Sequence, residues 1–136
     1  MINRTLEQIL VYDKQHYFAR FLKYEFNKNF DFQKFKKNEN LNDIEKKFSI
    51  VVFVVYSEAD LFDFVEVYKM GVQILVCTYN KEILNKMKNV SNIILFDISI
   101  TKLEMVKELR HFFYRTTSPH KQIQNSKNIK NLKQSI

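Results

Sequence analysis

Apolar residues along this chain fall into two alternating rhythms. Gln8–Tyr12 (QILVY) is a compact apolar run that stops at Asp13. From Tyr17 to Asn29 the spacing changes. Phe18, Phe21, Leu22 and Phe26 fall at i, i+3, i+4 and i+8, one face of a 3.6-residue period, which predicts a helix. Phe30–Phe35 predicts a short edge strand, and Leu41, Ile44 and Phe48 a short helix. Ile50–Val55 (IVVFVV) is β-branched and apolar on both faces, as a central strand of a covered parallel sheet must be. Ser57 and Asp60 then resemble a capping box, and Leu61, Phe64, Val65 and Tyr68 form the stripe of the next helix. Gly71 stands where a helix end needs positive φ.

The alternation continues. Val72–Cys77 (VQILVC) predicts a fourth strand, and Asn80 caps a short helix carrying Ile83, Leu84 and Met87. Asn92–Phe96 (NIILF) predicts a fifth strand. Thr101 and Glu104 form a second capping box, ahead of a helix lined by Leu103, Val106, Leu109 and Phe113. Strand then helix, repeated with short connections, predicts a parallel sheet with crossover helices in a three-layer α/β/α sandwich. Ligands of such sheets sit beyond the carboxyl ends of the strands. The positions to inspect are therefore Asp13–Gln15, Val54–Ser57, Thr78–Asn80 and Asp97–Ser99.

Composition narrows the function classes. The chain has 136 residues, the length of one domain on a prior of roughly 100–200 residues each. One glycine leaves no room for P-loops, dinucleotide fingerprints or other glycine-rich phosphate cradles. One cysteine excludes an intramolecular disulfide and a Cys-rich zinc site, and Cys77 reads as a small buried hydrophobe. His16, His111 and His120 show no metal-ligand spacing. No signal-like start and no apolar run of membrane length are evident, so a reduced, cytoplasmic protein is expected.

The net charge of +7 is uneven. Residues 116–136 hold Lys121, Lys127, Lys130 and Lys133 with no acid and no aromatic residue, so they read as a disordered basic tail behind a domain spanning 1–115. Lys34, Lys36, Lys37, Lys46 and Lys47 mark a basic edge. Phe112, Phe113 and Tyr114 cannot all share one helix face, so Phe112 or Tyr114 is expected on a partner-facing surface.

The residues ILVYDK at the first strand, ILVCT at the fourth, and ITKLEMVKELRHFF after the fifth resemble the receiver domain of bacterial response regulators. The resemblance implies a flavodoxin-like fold with strand order 2-1-3-4-5 and a phosphorylation pocket at the strand ends. It also implies a partner face on the fourth helix, fifth strand and fifth helix.

The pocket residues depart from the family. Asp13 retains the first acid, but Lys14 stands where the second belongs. The acceptor position falls at Val54, or at Val55 or Tyr56 in a shifted register. Thr78 matches the family's hydroxyl, and Asp97 stands near the place of its lysine. Phosphoryl transfer to a carboxylate needs Mg²⁺ held by several hard oxygen ligands, and this set lacks two carboxylates and gains a cation.

The resemblance therefore implies a pseudo-receiver: a vestigial pocket of Asp13, Lys14, Thr78 and Asp97, with no catalytic residue, metal or cofactor. Its expected role is phosphorylation-independent protein–protein interaction in a signalling or regulatory system. Two alternatives stand beside it: a receiver using Glu58 or Asp60 as an atypical acceptor, and a nucleic-acid-binding protein using the basic edge and tail. An enzyme is the weakest reading, since DKQHY is not the Ser/Thr/Gly-rich loop of an FMN site. Asp97 and Lys14 lie on strands three spacings apart, roughly 14 Å, so Lys14 is expected to pair with Asp13 or to project into solvent.

Overall fold

The computed structural model describes residues 6–36 and 41–117. Lys37, His120 and the expected tail from 118 onward lie outside these residues, whereas Thr116 and Thr117, expected in the tail, continue the last helix. The elements run β1 (Glu7–Tyr12), α1 (Tyr17–Phe26), β2 (Phe30–Lys34), α2 (Leu41–Lys47) and β3 (Ile50–Val54). They continue with α3 (Asp60–Tyr68), β4 (Gln73–Thr78), α4 (Lys81–Met87), β5 (Ile93–Asp97) and α5 (Lys102–Thr117). All strand pairs are parallel, in the order β2-β1-β3-β4-β5, which makes this a flavodoxin-like α/β fold.

Side-chain alternation divides the core between the two faces of the sheet. In β3, Ile50, Val52 and Val54 join one cluster with Phe18, Leu22 and Phe26 of α1 and Leu109, Phe112 and Phe113 of α5. Val51 and Phe53 of β3, with Val55 just beyond it, join the other, with Ile44 of α2, Phe64 and Val67 of α3, and Ile83 and Met87 of α4. All five β3 residues are buried, which is why that run carries no polar position.

Two helices turn differently from their expected stripes. In α3 the buried apolar residues are Phe64 and Val67, while Val65 is 48% exposed and Phe62 80%. In α5 Leu109, Phe112 and Phe113 are buried, and Leu103 is 81% exposed. Phe112 packs in the core cluster with Phe113 and Leu109. Tyr114 is 39% exposed, its ring meeting Phe30 edge-on at 5.5 Å between centroids.

Candidate functional site

The carboxyl ends of β1 and β3 bring together a closed polar network. Asp13 follows β1 directly and is buried. Its Oδ1 accepts the Gln15 amide at 3.1 Å and its Oδ2 the Ala19 amide at 2.9 Å, so it caps α1 from the preceding turn. The Tyr56 hydroxyl, arriving from beyond β3, donates to the same Oδ1 at 2.5 Å. Val54 and Val55 are wholly buried in the core, so Tyr56 is the strand-end residue that reaches the cleft, and it fills it with a phenol.

Asp60 opens α3 and is only 2% exposed. Its Oδ2 accepts the Tyr56 amide at 2.8 Å and the Ser57 amide at 3.2 Å, but the N-cap of α3 is Ala59, with no side-chain cap, and not Ser57 as expected. Its Oδ1 meets Lys14 Nζ at 3.0 Å. Lys14 thus pairs with Asp60, not with Asp13 and not as a free solvent group, and Asp63 lies 4.0 Å from the same ammonium. A lysine side chain lies along the mouth of the cleft to reach α3, a route that strand separation alone did not reveal. The Asp60 hydrogen bond, followed by its charge, raises the Lys14 pKa above the ordinary lysine value.

Two phenols are held neutral. Burial, then the hydrogen bond to Asp13, pushes Tyr56 far above the ordinary tyrosine range. Burial, then the bond from its hydroxyl to Asp63, does the same to Tyr12, whose ring stacks on Phe53 at 4.1 Å. The apolar pattern placed Tyr56 at a strand end and Tyr12 within a strand, but did not reveal their bonds to Asp13 and Asp63, which lie on other segments.

The remaining cleft positions serve local structure. Thr78 is fully buried, and its Oγ1 accepts the Asn80 amide at 3.1 Å. Asn80 in turn caps α4 through the Glu82 and Ile83 amides. Asp97 pairs with Lys81 at 2.6 Å and receives the Ser99 amide and hydroxyl. Burial opposes its charge, but Lys81 and Ser99 prevail and hold its carboxyl below the usual range. Lys14 and Asp97, which look like exchanged charges in the sequence, each take a different partner. The atypical acids are also engaged: Asp60 as above, and exposed Glu58 with Lys86. No cluster of three or more His, Cys, Asp or Glu side chains arranged to hold a metal ion occurs among the described residues.

A second feature lies on α5. Lys107, Arg110, His111 and Arg115 share one face of the helix with Leu103, Val106 and Tyr114, at the recurring three- and four-residue spacing of neighbours on a helix. Leu103, Tyr114 and the basic residues Lys107, Arg110 and His111 are exposed. No helix among the described residues is long and apolar enough to cross a membrane. No family model, curated protein or solved structure matches this chain.

Proposed function

We propose that this domain is a phosphorylation-independent protein–protein interaction module, a pseudo-receiver acting in a signalling or regulatory system. One observation carries the reading: the strand-end cleft is occupied by Tyr56, whose hydroxyl meets Asp13 at 2.5 Å, where an acceptor carboxylate would have to stand. The surrounding acids are already paired. Asp13 holds α1, and Asp60 holds the β3–α3 turn and Lys14. A phosphoryl group attacked at this end of the sheet would find a phenol kept protonated and an ammonium in place of a second acid. Such a cleft stabilises one conformation instead of switching between two.

The docking surface in this reading is the outward face of α5. Its exposed Leu103 and Tyr114 lie among Lys107, Arg110 and His111, which suits an acidic segment with apolar anchors on a partner protein. Affinity capture with the wild type and with a Lys107→Glu/Arg110→Glu variant tests it, followed by titration of the purified partner. The variant is expected to lose the partner. Equal affinity for both proteins would overturn the assignment of this face.

A further inference from the structure

We infer that the groove between α1 and the β1–β2 edge binds a small phosphorylated molecule. This goes beyond the docking role and shares no residue with the α5 face. The groove encloses about 320 Å³, within the range of small-molecule sites. Its inner wall is apolar: Val11 of β1, Phe32 of β2 and Ala19 of α1. Its rim is cationic. His16, Arg20 and Lys23 follow one another at i, i+4 and i+7 along one side of α1, and Lys34 faces them from the end of β2.

The charge here is uncompensated. Arg20, Lys23 and Lys34 form no ion pair with a carboxylate among the described residues. Asp13 is the one acid among the lining residues described, and its oxygens already face the Tyr56 hydroxyl and two backbone amides. Lys34 Nζ lies 3.4 Å from His16 Nε2. An ammonium can only donate, so Nε2 is the accepting atom in this contact.

The backbone is unusual at the same place. His16 has φ of 65°, the left-handed region that a side chain other than glycine seldom adopts. Strained residues of this kind cluster at ligand sites. Here the strain sets an imidazole beside Lys34 at the head of α1. Three cations lining one groove with an apolar wall suit a phosphate monoester, whose dianion takes charge-assisted bonds and whose carrier group takes the wall. A groove of this volume is sized for a small molecule, whereas a polynucleotide takes a longer track of cations.

Amide shifts of the full chain, titrated with orthophosphate, a sugar monophosphate, AMP and a short single-stranded RNA at matched ionic strength, test the inference. Saturable shifts at residues 13–20 and 32–34 are expected with the monophosphates, and tighter binding than with orthophosphate. Arg20→Ala and Lys34→Ala should each weaken binding about tenfold, the loss of one charge-assisted contact. Lys88→Ala, on another surface, should bind as wild type. Shifts that follow ionic strength alone, or saturation by RNA but by no monophosphate, would overturn it. So would affinity equal to that of the wild type in the Arg20→Ala and Lys34→Ala variants.

Discussion

Tyr56 closes the cleft through the bond from its hydroxyl to Asp13. Tyr56→Phe removes the donor at Asp13 and leaves a buried carboxylate with one partner fewer. The expected loss is about 1–3 kcal/mol of stability, readable in denaturant unfolding. Tyr12 and Tyr56 also set an alkaline limit. Their folded pKa values lie above the unfolded value of about 10, so their stabilisation is complete below that pH. As pH rises beyond it, the unfolded chain ionises first and stability falls. Unfolding midpoints measured through the alkaline range should drop for the wild type and less steeply for a Tyr12→Phe/Tyr56→Phe variant. An equal drop would mean that these phenols do not control it. Lys14, Asp13 and Asp60 were all visible in the sequence as polar punctuation, but not who meets whom. The Lys14–Asp60 pair depends on a long side chain crossing from one turn to another, which a one-dimensional pattern does not encode.

At the scale of elements, the turn chemistry was legible and the helix rotations less so. Asn80 caps α4 as its position implied, and Thr101 Oγ1 accepts the Glu104 amide at 3.2 Å at the start of α5. Gly71 has φ of 77°, as the end of α3 demanded, and a methyl group added there would meet nothing within 4 Å. Gly71→Ala should therefore destabilise through backbone conformation alone, by about 1–2 kcal/mol. Asn80→Ala should lower stability by about 1 kcal/mol, through two amides left without their acceptor. Chemical denaturation of each variant checks both values. The buried stripes of α3 and α5 were harder to place. Both helices carry more apolar positions than the sheet can cover, so Val65 and Leu103 satisfied the period while pointing outward. Apolar residues on an exposed helix face look the same in sequence as those on a buried one.

The whole molecule follows from alternation of strand and helix. Apolar runs without polar gaps marked strands covered on both sides, and the parallel order 2-1-3-4-5 is what those strands form. A sheet of this kind places every strand end on one edge, so the cleft was locatable before its contents were known. The contents support the proposed reading: a phenol at the carboxyl end of β3, acids already bonded, and a cationic helix face outside. If α5 docks an acidic partner, affinity should fall as salt rises and the Lys107→Glu/Arg110→Glu variant should show little of that dependence. The central claim is that this cleft carries no phosphorylation switch. The most direct measurement is the intact mass of the chain after incubation with Mg²⁺ and a small-molecule phosphodonor such as acetyl phosphate. The account predicts an unchanged mass, and a stoichiometric, hydroxylamine-labile phosphoryl adduct would contradict it.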